Sequence, residues 1–305
     1  MAKSRKPWYG RDFGLSFRMG LTMFLLAALY AAFIVVLMAA GVRLATLIVI
    51  VSLVLLSQLI FSDQLVLLAS GARIMRPEQA PDLHQMISRL AQLADLPTPK
   101  LAWINTRMPN AFAIGKNPKS AVIAVTRGLV DRLDAHEIEA VLAHELTHIK
   151  NRDVTVISLA SFFAMIASFI VQQFFFVGLS MGGDRRGGRN NEGEDLIIVW
   201  LASIVVWAIS FILIRTLSRY REYAADRGSA ILTGHPGYLA SALQKIQSGV
   251  RTTPSRDLRQ AESMNAFFIF PAVRKDSVME VLSTHPTIEH RIRQLERIQQ
   301  DMEKR

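Results

Sequence analysis

The sequence predicts a mainly α-helical membrane protein, in which four transmembrane helices carry a cytoplasmic α+β domain. The chain has 305 residues, of which 51% are hydrophobic, and its mean hydropathy is positive. Four apolar stretches reach the length of about 20 helical residues that a bilayer requires. The polar segments between and after them combine helical periodicity with short β-type runs, which predicts the α+β part.

Residues 1–70 predict an N-terminal transmembrane hairpin. Two apolar runs, at residues 19–40 and 44–68, are separated only by Gly41, Val42 and Arg43. One helix through both runs would exceed the thickness of any bilayer, so the short break predicts a tight turn. The first run is too long for a cleaved signal peptide and is followed at once by the second, which favours an uncleaved anchor.

The distribution of basic residues predicts a cytoplasmic N-terminus. The basic residues that flank the first run on its N-terminal side are Lys3, Arg5, Lys6, Arg11 and Arg18. The turn of the hairpin carries only Arg43, and an excess of Lys and Arg marks the cytoplasmic side. The net charge of +10 thus flanks apolar runs and does not cluster with aromatic residues on a soluble face. A lipid bilayer is therefore the expected partner, and no nucleic acid is expected.

Residues 71–153 predict the first part of the soluble domain. Residues 81–95 have helical periodicity, and short β-type runs occupy residues 101–105, 111–115 and 121–126. Asp134 precedes Glu137 at the spacing of a capping box, and an apolar stripe continues from there to Ile149. A second helix is therefore expected to begin after Asp134.

Residues 154–217 predict a second transmembrane hairpin, with apolar runs at 154–181 and 196–217. The glycine-rich segment 182–195 between them is expected to form a flexible external loop. Residues 218–305 are predicted to complete the soluble domain and to end in an amphipathic helix. The apolar residues of that helix are Ile288, Ile292, Leu295 and Ile298.

The second predicted helix carries the pattern H-E-x-x-H at His144, Glu145 and His148. Residues four apart lie on one face of a helix, so both imidazoles can reach one metal ion. Glu145 lies about 100° round the axis, where its carboxylate can contact a metal-bound water and take its proton. The chain has no cysteine, so any metal site must use histidines and carboxylates. The alternative is an exposed helix with two ordinary hydrogen-bonded histidines.

Glu222 and Asp226 form an E-x-x-x-D pattern that supplies a third ligand. Two histidines and one carboxylate are typical of catalytic zinc, with a fourth position left for water, so one Zn²⁺ per chain is expected. Asp226 lies one helical turn further on and is expected to accept the free ring N–H of His144. The alternative is a solvated charged face together with Arg219 and Arg227.

The ligand set imposes a condition on the membrane topology. His148 precedes the third apolar run by six residues, Glu222 follows the fourth by five, and both helices are expected to continue straight into the membrane. The ligands can meet only if residues 154–217 cross the bilayer an even number of times. The two predicted spans satisfy that condition.

The sequence resembles the HtpX family of membrane-bound zinc metallopeptidases, which are relatives of the CAAX prenyl endopeptidases. Besides the two N-terminal spans and the segments 140–148 and 222–226, the segments that carry the resemblance are 109–113, 151–153, 263–266 and 283–286. The resemblance implies a gluzincin-type fold and a site facing the cytoplasm of a bacterial inner membrane. It also implies cleavage of polypeptides, above all misfolded membrane proteins, in protein quality control.

Two further sites follow from the same resemblance. Asn110, Ala111, Phe112 and Ala113 are expected to form an edge strand to which an extended peptide substrate adds. His285 is expected to hydrogen-bond the oxyanion of the tetrahedral intermediate, as a second catalytic residue beside Glu145. The alternatives are an ordinary edge strand and a turn histidine before Pro286.

Two other functions remain open at this point. One is a processing peptidase for a specific lipidated or membrane substrate. Only four spans are available, which is few for the large intramembrane chamber of the related prenyl endopeptidases. The other is a non-catalytic zinc-binding membrane scaffold, against which Glu145 argues because a structural site needs no base. The same donor set also accepts other divalent ions, and the residues do not specify an oligomeric state.

Overall fold

The computed structural model describes residues 13–43, 66–115, 117–180, 190–252 and 286–304, together with scattered positions between 45 and 64. The chain divides into two compact units. The sheet unit comprises Met1–Leu15, Phe61–Thr155 and Ser218–Arg305, and the helical unit comprises Ser16–Ile60 and Val156–Leu217.

The described secondary structure is mostly helical with one small sheet. The helices are α1 Phe13–Ala39, α2 Pro81–Leu93, α3 Arg127–Val130, α4 Ala135–Lys150, α5 Asp153–Ser180, α6 Asn190–Thr233, α7 Pro236–Thr252 and α8 Ile288–Glu303. The strands are β1 Arg73–Ile74, β2 Lys100–Ile104, β3 Ala111–Ile114 and β4 Val122–Thr126. Short 3₁₀ turns lie at Pro77–Gln79 and Pro118–Ser120. The β-type runs of the sequence thus form strands whose bounds differ from the expected ones by one residue.

The sheet has the strand order β1-β2-β4-β3. Strands β2 and β4 are parallel, with Lys100 opposite Val122 and Ile104 opposite Thr126, whereas β1 and β3 pair antiparallel with their neighbours. Among the described strands, β3 is therefore an edge. The core of this unit joins the sheet to α2, α4, α7 and α8 through fully buried side chains, among them Leu90, Ile123, Leu142, Leu146 and Ile246.

A capping box starts α4 where the sequence predicts it. The Glu137 backbone N–H donates to Asp134 Oδ1 at 3.0 Å, and the Asp134 N–H donates to Glu137 Oε2 at 2.9 Å. These bonds satisfy two of the free N–H groups at the helix start. Glu137 is also buried, and its Oε1 accepts hydrogen bonds from Ser241 and Lys245 of α7, both at 2.6 Å. The start of α4 is thereby tied to α7.

The end of α4 corrects the expectation that this helix continues straight into the next apolar run. Helix α4 ends at Lys150, and α5 begins at Asp153 after a two-residue turn. Arg152 has a φ of 54°, in the left-handed region that ends a helix. The Lys150 ammonium also donates to the carbonyl oxygen of Ala94 at 2.6 Å, which holds the last turn in place.

The predicted external loop is shorter than the sequence suggested. Residues 190–195 were expected in that loop but form the start of α6, which then continues without interruption for 44 residues to Thr233. The expected continuation from the fourth apolar run to Glu222 is present, since both belong to α6.

Within the described residues, three helical segments are long and apolar enough to cross a membrane: Phe13–Ala39, Asp153–Gln172 and Ile197–Thr233. In the helical unit, Leu26 and Phe33 pack in one cluster with Ala167 and Leu217. Large apolar side chains such as Phe17, Phe24, Phe169 and Ile212 are exposed there, as expected of a lipid-facing surface. Most of the predicted second span, residues 44–68, lies outside the described residues.

Candidate metal centre

His144 and His148 project from the same face of α4 and bring their Nε2 atoms within 3.1 Å of each other. Glu222 reaches them from α6. Its Oε2 lies 3.6 Å from His144 Nε2, and its Oε1 lies 3.8 Å from His148 Nε2. His144 is 1% exposed and Glu222 is 6% exposed, whereas the His148 side chain is 12% exposed, so the cluster is mostly but not fully buried.

The spacing of these three side chains suits a cation of the size of zinc. Each residue offers one donor atom, and the three donor atoms lie within 4.8 Å of one another. Ligands bonded to zinc at 2.0–2.1 Å with tetrahedral angles lie roughly 3.3 Å apart. The two histidine nitrogens lie 3.1 Å apart, His144 lies 3.6 Å from Oε2 of Glu222, and His148 lies 3.8 Å from Oε1 of the same carboxylate, all near that value. The set could therefore hold a metal ion with small adjustments of the side chains.

A close contact between α4 and α6 brings the candidate ligands of the two helices together. Gly228 of α6 faces Thr147, and a Cβ atom at Gly228 would lie 2.4 Å from the Thr147 side chain. One residue further, the Ser229 hydroxyl donates to the carbonyl oxygen of Ala140 at 2.7 Å. Only glycine permits this approach, and the hydroxyl contact sets the helix register.

Asp226 lies against His144, with its Oδ1 3.1 Å from the imidazole Nδ1. The Arg291 guanidinium from α8 donates to both oxygens of Asp226, through Nε at 2.9 Å and Nη2 at 2.6 Å. Nη1 of Arg291 also lies 3.2 Å from Glu222 Oε2. Arg291 is 1% exposed, so its charge is compensated entirely within this cluster.

Arg291 is a site residue that the sequence motifs did not predict. It lies three residues after Ile288 and four before Leu295, both of which are buried on the apolar stripe of α8. An arginine at a stripe position must find a buried partner, because an unpaired charge in a core is strongly unfavourable. An arginine on the apolar stripe of α8 was therefore the feature of the sequence that could have indicated this site residue.

The carboxylates around His144 dominate its protonation. Burial lowers the pKa of His144, but the close carboxylates of Asp226 and Glu222 outweigh that effect and raise the pKa to about 9. Burial likewise lowers the pKa of Arg291, while the charges of Asp226 and Glu222 raise it above its usual value. An imidazole binds a metal only when its ligating nitrogen is deprotonated, so a metal ion competes here with a tightly held proton.

His148 has a carboxylate partner of its own. Its Nδ1 lies 2.6 Å from Oδ2 of Asp153, the first residue of α5. The other oxygen of Asp153 lies 3.0 Å from Nε of Arg221. The sequence patterns described above do not indicate a site role for Asp153 or Arg221.

Glu145 is 2% exposed, and its Oε1 has no hydrogen-bond partner in the part of the chain that the structure describes. The predicted edge-strand residues Ala111, Phe112 and Ala113 lie in β3. Asn110 directly precedes that strand, and its backbone N–H donates to the Thr126 hydroxyl at 2.8 Å. His285 lies outside the described residues.

A buried cluster of two histidines and a carboxylate, in a chain with long apolar helices, is typical of a membrane metalloprotease. The profile of peptidase family M48 matches residues 77–299, well over half of the chain. The chain is 58% identical over 297 residues to a protein named "Protease HtpX homolog" from Moorella thermoacetica, covering 97% of this chain and 98% of the relative. It is also 51% identical over 298 residues to "Protease HtpX homolog 2" from Methanosarcina mazei, covering 98% and 99%.

The chain therefore belongs to the HtpX group of peptidase family M48, and the resemblance stated from the sequence is confirmed. Among solved structures, Ste24p from S. mikatae is similar with a TM-score of 0.55 and 18% sequence identity. That similarity covers 92% of this chain and 66% of the Ste24p chain. At this level of identity it shows a shared fold.

Proposed function

We propose that this protein is a zinc-dependent endopeptidase that cleaves unfolded or damaged membrane proteins at the cytoplasmic surface of a bacterial inner membrane. The observation that carries the proposal is the convergence of His144, His148 and Glu222, with the buried carboxylate of Glu145 on the same helix. A structural metal site needs no base beside it, so Glu145 favours a catalytic role.

In this proposal His144, His148 and Glu222 hold one Zn²⁺ per chain. When bound, zinc supplies Lewis acidity and lowers the pKa of a contacting water to about 7. Glu145 accepts a proton from the attacking water and later delivers it to the leaving amine. Its unpartnered Oε1, within the described part of the chain, suits a group that must exchange a proton with water and substrate.

Asp226 affects metal binding indirectly, because it orients the proposed ligand His144. A carboxylate on Nδ1 selects the tautomer whose Nε2 lone pair faces the metal, and it raises the basicity of the ligand. The distance of 3.1 Å between Asp226 Oδ1 and His144 Nδ1 supports this role.

Substrate binding is proposed along the edge strand β3, which contains Ala111, Phe112 and Ala113, together with Asn110 directly before it. Backbone pairing to an edge accepts many side chains, which suits an enzyme that acts on unfolded segments. The position of β3 at the end of the described strand order supports it. His285 is the proposed hydrogen-bond donor to the oxyanion, and the family resemblance supports this role.

The proposed topology has four spans, with the N-terminus and the metal site in the cytoplasm. Hairpins at residues 1–70 and 154–217 then alternate with the two parts of the peptidase domain, residues 71–153 and 218–305. The apolar helices and the excess of basic residues before the first span support this arrangement.

The function is tested by comparing the full-length protein in detergent with its Glu145→Gln variant, using unfolded casein as substrate. We expect the variant to keep its zinc and to lose cleavage by a factor of about 100 or more, since general acid–base catalysis contributes roughly 10²–10⁴-fold. Chelation should abolish wild-type cleavage and added zinc should restore it.

Glu139→Gln is the matched control on the same helix. Glu139 pairs with the largely exposed Arg89, so its loss should leave cleavage unchanged. Unchanged turnover by the Glu145→Gln variant would refute the assignment of the base. Stoichiometric zinc without hydrolysis of any unfolded protein would favour the scaffold function instead.

A further inference from the structure

The turn between α4 and α5 brings Asp153 back against His148. In an uninterrupted helix, residues five apart lie roughly 140° apart round the axis and do not meet. Here Asn151 and the left-handed Arg152 interrupt the helix, and Asp153 Oδ2 comes within 2.6 Å of His148 Nδ1. Asp153 is 1% exposed, so this contact is a buried one.

Arg221 compensates the charge of Asp153. Its Nε lies 3.0 Å from Oδ1, the carboxylate oxygen that His148 does not use. A buried carboxylate without a partner is strongly unfavourable, so the contact with Arg221 stabilises Asp153 in its place beside His148. Arg221 directly precedes Glu222 on α6. Two adjacent residues of this helix therefore provide the proposed ligand Glu222 and the partner of Asp153, which contacts the other proposed ligand His148.

We propose that Asp153 and Arg221 are positioning residues that orient His148 for the metal, as Asp226 and Arg291 do for His144. The inference rests on the proposed zinc site. Because His148 Nδ1–H donates to Asp153, the Nε2 lone pair faces His144 and Glu222. Each proposed imidazole ligand thus has an aspartate on its outer nitrogen and an arginine behind that aspartate.

The measurement is zinc affinity, by chelator competition with the full-length protein in detergent, alongside the visible absorption of the Co²⁺-substituted protein. Asp153→Ala removes the acceptor and should weaken zinc binding by roughly 10–100-fold, the usual effect of losing an outer hydrogen-bond partner of a ligand. It should also change the Co²⁺ spectrum, which reports ligand geometry. Asp153→Asn keeps an acceptor oxygen but loses the charge, so a smaller loss is expected.

Asp134→Ala is the matched control, since it removes an aspartate that caps the start of the ligand helix α4. It should lower the thermal midpoint and leave zinc affinity unchanged. If Asp153→Ala fails to fold, Asp153→Asn decides the question by the same two readouts. Wild-type affinity and an unchanged Co²⁺ spectrum in a folded Asp153 variant would overturn the proposal.

A double variant tests whether Arg221 acts on the metal site through Asp153. If Arg221 acts through Asp153, adding Arg221→Ala to Asp153→Ala should cause no further loss of zinc affinity. Additive losses would mean that Arg221 acts elsewhere, for example on Glu222, and would overturn its role. A wild-type protein that binds no zinc would instead refute the proposed function, so the two failures are distinguishable.

Discussion

Arg291 joins the two acidic residues that α6 contributes to the metal centre. It holds Asp226 with two nitrogen donors and also contacts Glu222, and all three side chains are buried. Two carboxylates this close together repel each other unless a cation lies between them. The guanidinium therefore offsets this repulsion and stabilises the site before any metal binds.

Replacing Arg291 should damage metal binding and stability together. Arg291→Ala leaves two buried carboxylates without a cation, and removing one partner of a buried ion pair costs about 3–5 kcal/mol. Arg291→Lys keeps the charge but lacks the planar fork, so it should fold better while still binding zinc less tightly. Thermal unfolding and zinc titration measure both effects.

Arg297→Ala serves as the control for Arg291, because Arg297 lies on the same helix and is exposed. It should change neither stability nor zinc affinity measurably. Wild-type zinc affinity in the Arg291→Lys variant would show that charge alone suffices and that the fork geometry is unimportant.

At the scale of elements, the approach of α4 and α6 determines whether the ligands can meet. Gly228 packs against Thr147, next to His148 in the sequence. Gly228→Ala would place a methyl group 2.4 Å from Thr147 side-chain atoms. We expect this overpacking to cost about 1–3 kcal/mol and to weaken zinc binding, because α6 must move away from α4.

Gly237→Ala is the matched control for Gly228→Ala. A Cβ at Gly237 would have no neighbour within 4 Å, and the residue lies in the first turn of α7. That variant should be neutral or slightly stabilising, as alanine favours helix. If Gly228→Ala had the zinc affinity and thermal midpoint of this control, the close contact would be unimportant for the site.

Much of the element pattern could be predicted, because it depends on short stretches of chain. The Asp134 capping box predicts the start of α4, and the spacing of His144 and His148 predicts their shared face. The end of α4 could not be predicted in this way. It depends on the backbone of Arg152 and on the contact from Lys150 to the distant Ala94, which no local pattern encodes.

At the scale of the whole molecule, the proposed topology can be tested with single introduced cysteines, because no native cysteine has to be removed first. The sequence contains no cysteine, so each introduced cysteine is the only labelling site. We expect Asn190→Cys, at the start of α6, to react with a membrane-impermeant maleimide on intact cells. Gln300→Cys, on the exposed side of α8, should react only after the membrane is opened.

Labelling of both positions from the same side would contradict the four-span arrangement. If Gln300→Cys reacted on intact cells and Asn190→Cys only after the membrane is opened, the predicted hairpins would still hold, but the orientation of the protein in the membrane would be the opposite one. Each variant should retain caseinolytic activity, which shows that the labelled protein is folded.

The sequence by itself predicted the candidate donor set and determined the class of the protein. Histidines four apart share a helix face whatever surrounds them, and apolar runs of sufficient length identify membrane helices by composition alone. Only the tertiary structure decided what supports that set. Arg291 contacts Asp226 across 65 residues of chain, Gly228 packs on Thr147, and a helix break turns Asp153 toward His148. These contacts join distant segments or depend on one backbone conformation, so helical and strand periodicity carry no trace of them.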